Sequence, residues 1–344
     1  MANLIIVGNG FDLAHELETK YSDFLKYLLK TEYENPDSMA NLFFIHGSIR
    51  AKYSTFDNFY REFDYNEIST ENQFFRLVLS NSRDALWSDI EFLYSRELMK
   101  IAKPQAENQI RKLNNEFETI KIKLQNYLAI EEKAFSAINM YRDFFRILDS
   151  DNTIILNFNY TATVSNYFSN EGWKAKVLHV HGRLNDDSNP IIFGYAADHN
   201  ESRELLDLNE SEFLRNIKKH CYKRKDFEPY LKNYMDFQES FDVFILGHSC
   251  GNSDKLILND ILNHDKLSKI RISYFNNYEN YRVAAVNLDR IMNNDANFKK
   301  LVCFDDSLKM PQKSDSCNDT VTDYLQKLVD YQKEARDNKQ VKIY

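Results

Sequence analysis

The stretch that most constrains the fold is the opening segment, residues 3–12, NLIIVGNGFD. Its four consecutive apolar residues, 4–7, are typical of a strand buried on both faces of a parallel sheet. Gly8-Asn9-Gly10 ends the run, and residues 13–17 could begin a helix. A strand followed by Gly-x-Gly and a helix is the beginning of a phosphate-binding unit. The third glycine of a dinucleotide-binding fingerprint is missing here. A tight turn without a ligand is the alternative.

The rest of the chain changes character near residue 150. Helical spacing of apolar residues predicts helices at 21–29, 56–63, 74–79 and 82–99, and one long helix or a two-helix hairpin at 106–148. Short apolar runs then predict strands at 153–158, 176–180, 191–193, 241–246, 270–275 and 300–304. Helices are predicted between and after them, at 201–220, 227–237, 253–262, 281–292 and 321–336.

Alternating strands and helices predict an α/β fold with a Rossmann-type parallel sheet. The expected nucleotide-binding domain comprises residues 1–20 and 151–305. Residues 21–150 form an inserted helical subdomain, expected as a cap over the carboxyl ends of the strands. Residues 306–344 are expected to be a polar linker and a C-terminal helix.

Composition bears on the class of partner. The 44 basic and 52 acidic residues give a net charge of −8, which argues against broad nucleic-acid binding without excluding a local basic patch. Cys221, Cys250, Cys303 and Cys317 form no C-x-x-C pair, so neither zinc nor a disulfide framework is expected. Without a signal sequence or a long apolar window, we expect a cytoplasmic protein with no membrane partner.

The glycines mark the expected ligand edge of the sheet. Six of only eight lie in four clusters, each after a predicted strand: Gly8 and Gly10, Gly182, Gly194, and Gly247 with Gly251. Because ligands bind at the carboxyl ends of parallel strands, this placement favours a nucleotide-type site.

Two polar clusters follow predicted strands. Asn157 and Asn159 alternate with aromatic residues, and one of them could cap the next helix while the other contacts a ribose or a water. His179 and His181 would share one side of their strand by alternation. His181, next to Gly182, is a candidate general base or ribose contact. The alternatives are that it is a buried structural histidine or a metal ligand.

The turn after residue 246 reads Gly247-His248-Ser249-Cys250-Gly251, followed by Asp254. Its letters match the G-x-S-x-G turn of serine hydrolases, but His264 is the only later histidine. A phosphate- or ribose-binding turn that uses Ser249 and Asp254 is favoured.

The chain resembles the AbiH family of bacterial abortive-infection proteins. The matching stretches are LIIVGNGFDLAHELETKYSDFL at the start, LWSDIE at 86–91, NFNYT at 157–161, HVHGRL at 179–184, IFGY at 192–195 and ILGHSCGNSD at 245–254. Trp87, Asp89 and Glu91 belong to the loosest of these matches, and surface charge or a salt bridge is their expected role. In a nucleotide or RNA hydrolase, Asp12, Asp89, Glu91 or Asp254 would instead converge on a divalent ion.

AbiH proteins are in turn distantly similar to sirtuin-like NAD-binding domains. The resemblance implies that Gly8, Asn9 and Gly10 cradle the diphosphate and that Asn159 lies near the nicotinamide ribose. It also matches His181-Gly182 and the turn from Gly247 to Ser249, with Asp254 beyond it. Thr161 replaces a usual Asp, and Asn9 and Asp12 replace a usual Ala and Ser. The missing four-cysteine zinc module argues against protein deacylation.

The resemblance therefore implies a phage-defence effector that hydrolyses NAD at the nicotinamide–ribose bond. The expected catalytic residues are Asn159 and His181. The expected residues for NAD, as substrate or ligand, are Gly8, Asn9, Gly10, Phe11, Asp12, Asn157, Gly182, Gly247, His248, Ser249 and Asp254. A nucleotide-sensing module without catalysis and a nucleotide or RNA hydrolase are the alternatives, and a homo-oligomer is left open.

Overall fold

The computed structural model describes residues 2–36, 42–80, 87–148, 150–168, 175–196, 205–208, 211–223, 227–292, 294–315, 326–327 and 329–331. The chain divides into two compact units. The first comprises Met1–Leu17, Glu131–Ile192 and Tyr222–Tyr344, and the second Glu18–Ile130 and Phe193–Cys221. The strands of the described residues are β1 Ala2–Val7, β2 Phe44–Ile45, β3 Ile68–Ser69, β4 Thr153–Asn157, β5 Lys176–His179, β6 Phe241–Leu246, β7 Leu267–Tyr274 and β8 Leu308–Lys309.

A six-stranded sheet organises the first unit, in the order β5-β4-β1-β6-β7-β8. All five strand pairs are parallel. This is the doubly wound order of dinucleotide-binding folds, in which the first strand is central and the order reverses beside it. The predicted α/β class with a parallel sheet is confirmed. Every residue of β1, β4 and β6 is buried, which explains why these strands are almost wholly apolar.

Helices of the first unit connect these strands. Aromatic side chains, including Phe11, Tyr141 and Phe145, form a buried cluster with Ile5 and Leu246 of the sheet. The helices of this unit are Asn9–Ala14, Asn139–Ile147, Phe227–Phe237, Lys255–Leu262, Tyr278–Ile291 and Asp295–Phe298.

The second unit is mostly helical. Its helices are Tyr21–Glu34, Gly47–Lys52, Phe56–Glu62, Gln73–Ser80, Trp87–Ile101 and Glu107–Glu131. Strands β2 and β3 add a small antiparallel pair. Tyr94 and Phe117, with ring centroids 4.2 Å apart, lie in its core. The 106–148 pattern thus resolves into two helices, Glu107–Glu131 and Asn139–Ile147, separated by a 3₁₀ turn at Glu132–Ala134.

Three local predictions were wrong. Residues 191–193 are extended without being a strand, and Ile192 donates its N–H to His181 O at 2.7 Å. Near 300–304 there is only a single bridge, Ile270 to Leu301, and the edge strand is β8. The 201–220 region contains a 3₁₀ helix, Ser211–Leu214, and the short helix Lys218–Tyr222.

The reason for the last difference lies in the backbone. Tyr195 N–H donates to Asn216 O at 3.0 Å, and Lys218 N–H donates to Tyr195 O at 3.0 Å. A bridge at this point uses groups that a continuous helix would need for its own ladder. Residues 201–204 and 209–210 of that prediction, and most of the predicted helix 321–336, lie outside the described residues.

The turns after β1 and β6 contact each other through glycine backbone. Gly8 N–H donates to Leu246 O at 3.0 Å, and Gly10 N–H donates to Gly247 O at 2.8 Å. A Cβ on Gly10 would lie 2.7 Å from Gly247 Cα, and Gly247 has a φ of +66°. Only glycine meets both conditions without strain.

We predict that Gly247→Ala destabilises the protein by more than about 2 kcal/mol, because left-handed backbone and overpacking each cost roughly 1–2 kcal/mol. Gly47→Ala is the matched control, since nothing lies within 4 Å of the position a Cβ would take there. Urea unfolding of both variants measures the difference. Equal effects at the two positions would contradict the account of the paired turns.

Candidate functional site

The candidate site lies where the strand order reverses, at the carboxyl ends of β1 and β6. In doubly wound sheets this crevice is where ligands bind. Gly8, Gly10 and Gly247 are all here, but the N–H groups of Gly8 and Gly10 already donate to backbone oxygens. The glycines therefore serve close packing of the two turns, and a diphosphate would need other donors.

Phe11 and Asn9 follow the first turn. Phe11 is fully buried, with its ring centroid 4.7 Å from that of Tyr141, so its side chain belongs to the core. Asn9 is half-buried at the first position of the helix Asn9–Ala14. Of these two predicted ligand contacts, Asn9 is the more accessible.

The segment after β4 is shaped by its two asparagines. Asn157 accepts the Asn159 N–H at its Oδ1 (3.0 Å) and donates from Nδ2 to Thr161 O (2.8 Å). This is a turn built by a side chain in place of backbone. Asn159 donates from Nδ2 to Gly8 O at 3.1 Å, which joins the loop to the first glycine turn. Neither asparagine caps the following 3₁₀ helix, which begins after Thr163.

Asp12 lies beneath this loop, with its side chain almost completely buried. Thr161 donates to Asp12 Oδ2 at 2.6 Å, and Thr163 donates to Oδ1 at 2.5 Å. Burial raises the pKa of the Asp12 carboxyl from 3.8 to about 6, and the two threonine hydrogen bonds oppose part of that rise. Thr161, which replaces the Asp of the sirtuin-like pattern, is thus a partner of Asp12.

A histidine–aspartate–histidine cluster lies beyond the ends of β5 and β6. His181 Nε2 is 2.9 Å from Asp254 Oδ1, and His248 Nε2 is 3.3 Å from Asp254 Oδ2. All three side chains are less than a tenth exposed. Both oxygens of one buried carboxylate therefore face imidazole nitrogens, an arrangement suited to proton transfer.

Other groups fix the two imidazole rings. His181 Nδ1 is 3.1 Å from Phe158 O, and Tyr222 Oη is 3.1 Å from His181 Nε2. His248 Nδ1 accepts the Cys250 N–H at 2.9 Å. The structure thus brings together three predicted residues from two sequence clusters, His181 from one and His248 with Asp254 from the other.

His179 has different partners from His181. Strand β5 ends at His179, so the alternation expected for the pair does not continue to His181. His179 Nδ1 is 3.3 Å from Asn157 Nδ2, and its Nε2 is 3.3 Å from Ser165 Oγ. Burial lowers the pKa of His179 to about 4, so it is neutral and structural at pH 7.

The turn after Gly247 does not assemble a serine nucleophile in the described residues. Ser249 is exposed, and its carbonyl accepts from Asn287 Nδ2 at 2.8 Å. His264, the only later histidine, pairs with Asp236 at 3.2 Å. Cys250 is buried at a φ of +52°, and burial raises the pKa of its thiol, which keeps it in the unreactive form.

Gly182 lies directly after His181, with a φ of +78°. A Cβ there would clash with the carbonyl of Pro190. Its role is therefore to let residues 190–192 return close to His181, where Ile192 N–H binds the His181 carbonyl.

Two negative findings concern the described part of the chain. No group of three or more His, Cys, Asp or Glu side chains there is placed to hold a metal ion. No helix there combines the length and the hydrophobicity of a membrane span.

Glu91, whose role the sequence left open, forms a buried ion pair in the second unit. Lys218 Nζ is 2.9 Å from Glu91 Oε2, and both side chains are at most 6% exposed. Gly194 N–H donates to Glu91 Oε1 at 3.3 Å. The LWSDIE and IFGY stretches therefore meet at this carboxylate. The side chains of Trp87 and Asp89 lie outside the described residues.

Sequence reasoning missed Tyr222, Thr163 and the carbonyl of Phe158. Tyr222 belongs to no motif, and it lies 41 positions along the chain from His181. Nothing in a single sequence reports such a contact, because its cause is tertiary.

Comparisons with known proteins support one family. The model of the family described as bacteriophage abortive infection AbiH matches residues 4–278 of this chain. A search of the curated proteins found no match.

We predict that Lys218→Met destabilises the protein by roughly 3–5 kcal/mol, because it leaves the buried Glu91 carboxylate uncompensated. The double variant Lys218→Met/Glu91→Gln should recover much of the loss. Lys219→Met, at the next and half-buried position, is the control for losing a lysine from the same helix. Denaturant unfolding gives all three values, and a single variant no worse than the control would refute the pair's importance.

We predict that Asp12 makes stability fall as the pH rises. Its folded-state pKa of about 6 exceeds the ordinary 3.8, so folding favours the protonated form. That contribution is complete below 3.8 and is lost as the pH passes about 6, a change of roughly 3 kcal/mol for two pKa units. Urea unfolding from about pH 4 to pH 8, with Asp12→Asn as the non-titrating reference, measures it. A wild type that gained stability over Asp12→Asn with rising pH would contradict this sign.

Proposed function

The chain belongs to the AbiH family of bacteriophage abortive infection proteins, and from this premise we propose that it acts as an NAD glycohydrolase. The observation that carries the proposal is the buried His181–Asp254–His248 cluster beside the crevice of a doubly wound sheet. Such a cluster supplies a base at the edge where this architecture binds nucleotides.

Hydrolysis of the nicotinamide–ribose bond requires the protein to supply a base and a rigid pocket. The nicotinamide–ribose bond breaks through an oxocarbenium-like state, and nicotinamide leaves as a neutral molecule that needs no acid. Water adds to the ribose carbon, and its proton passes to His181. The products are nicotinamide and ADP-ribose, with one proton released when the base returns to its resting state.

Asn159 is suited to orienting the ribose. Its Nδ2 donates to Gly8 O, and its side chain also forms a hydrogen bond with the Asp12 carboxylate. The Oδ1 atom of the same rigid amide is left to accept a hydrogen bond from a ribose hydroxyl. A pre-positioned acceptor of this kind lowers the cost of ordering the substrate.

The glycine turns offer fewer backbone N–H donors to the NAD diphosphate than the sequence pattern implies. Since the Gly8 and Gly10 N–H groups are used within the protein, the phosphates would bind side chains at the two turns. Ser249 is exposed and Asn9 half-buried, so both are accessible for that role. We assign Gly247 and Phe11 to shaping the crevice and His248 and Asp254 to the base.

We predict that His181→Ala and Asn159→Ala each lower the rate of nicotinamide release from NAD by roughly 10²–10⁴-fold. His264→Ala is the matched control, because His264 also pairs with a carboxylate, Asp236, but follows the helix Lys255–Leu262 instead of a strand end. The assay uses the full chain at high concentration. Wild-type activity in His181→Ala would disprove the role of that residue.

Two further outcomes separate the alternatives. A melting shift with NAD that Asn159→Ala abolishes, without any nicotinamide release, would replace the hydrolase by a nucleotide-sensing module. If NAD causes neither nicotinamide release nor a melting shift, NAD is not the ligand of this protein. Nucleotides and RNA with divalent ions would then be the next substrates to screen.

A further inference from the structure

We propose that Tyr222 is a positioning residue that holds His181 in its neutral form, with Nε2 unprotonated and able to act as a base. The inference rests on the proposed function only in naming His181 as the base. It is carried by the hydrogen-bond partners of the two imidazole rings, which together determine where each proton lies.

The Nδ1 atom of His181 must carry a proton. Its partner is the carbonyl oxygen of Phe158, 3.1 Å away, and a carbonyl only accepts hydrogen bonds. In neutral His181 the lone pair is therefore on Nε2. This nitrogen faces both Asp254 Oδ1, at 2.9 Å, and Tyr222 Oη, at 3.1 Å.

His248 is fixed in the opposite tautomer. Its Nδ1 accepts the Cys250 N–H, so that nitrogen carries no proton and Nε2 must. The Nε2–H then donates to Asp254 Oδ2 at 3.3 Å. His248 therefore binds the carboxylate as a neutral donor, and it cannot accept the proton without losing its bond to Cys250.

The contact between His181 and Asp254 consequently has two states. With a proton on Nε2, the imidazolium donates to the carboxylate. Without it, a lone pair and a carboxylate oxygen face each other, and the Tyr222 hydroxyl is placed to donate to Nε2. Tyr222 is 1% exposed and its ring is within 4° of parallel to the His181 ring, so its hydroxyl is held in place.

Tyr222 therefore stabilises the state in which His181 can accept a proton from water. Asp254 and Tyr160 also face the His181 imidazole, His248 binds the other oxygen of Asp254, and Cys250 binds His248 through its N–H. The Tyr160 ring is 6.2 Å from the His181 ring, but its hydroxyl donates to Ile192 O. Tyr160 is therefore a second tyrosine near His181 whose hydroxyl binds a backbone carbonyl.

The test is nitrogen NMR of the full chain labelled with ¹⁵N-histidine, which reports the protonation of each ring nitrogen directly. His181 and His248 are assigned from the signals lost in His181→Gln and His248→Gln. We expect neutral His181 with its proton on Nδ1 and His248 with its proton on Nε2. In Tyr222→Phe the titration midpoint of His181 should rise by about half to one pH unit, the equivalent of one hydrogen bond.

Tyr160→Phe is the control and should leave that midpoint unchanged. An Nε2–H tautomer for neutral His181, or an equal midpoint in Tyr222→Phe and wild type, would overturn the inference. If Tyr222→Phe does not fold, the tautomer of His181 in the wild type still tests the inference. A proton on Nε2 of neutral His181 would leave the Tyr222 hydroxyl without an acceptor on that nitrogen. The measurement needs no NAD, so its failure is distinct from absence of nicotinamide release.

In the enzymatic assay the same variant gives a second readout. Tyr222→Phe should move the acidic limb of the kcat profile to higher pH and leave the KM for NAD unchanged. A purely structural role would lower activity at every pH without moving the limb.

Discussion

The contact between two glycine turns is the constraint on which the site depends. Strands β1 and β6 are adjacent and parallel, and the chain must leave both at the same edge. Gly10 and Gly247 let the two backbones touch there, which no residue with a Cβ would permit. This closeness brings Asn159, which bonds to Gly8 O, and His248, which follows Gly247, to one place. The glycines thus act in the scaffold of the crevice.

Two buried carboxylates, those of Asp12 and Asp254, lie at the same edge of the sheet. Asp12 is enclosed by threonine hydroxyls, and Asp254 by two imidazoles, so each carboxylate has partners on both oxygens. An unpaired carboxylate would be costly in either place. The two environments differ in kind, because hydroxyls have no other charge state near neutral pH whereas an imidazole can take up a proton. That difference separates a structural aspartate from one that can assist proton transfer.

The sequence predicted the features that local patterns control. The apolar runs at β1, β4 and β6 are buried on both faces, so their composition alone indicated central parallel strands. Gly8, Gly10 and Gly247 do follow strands, as the pattern indicated, and they meet at one edge of the sheet. The extended segment 191–193 looked like a strand because it is apolar, but it bonds to the His181 loop instead of a strand ladder. Tyr222 could not be found, since only the folded chain brings it to His181.

The order of the sheet also has a consequence for synthesis. The central strand, β1, is made first, but its neighbours are formed by Thr153–Asn157 and Phe241–Leu246. Contacts this distant in sequence form late, since the intervening chain must exist before the strands can pair. Asp254 is translated later still. A nascent chain that ends before Asp254 therefore lacks the carboxylate that joins His181 and His248 in the complete protein.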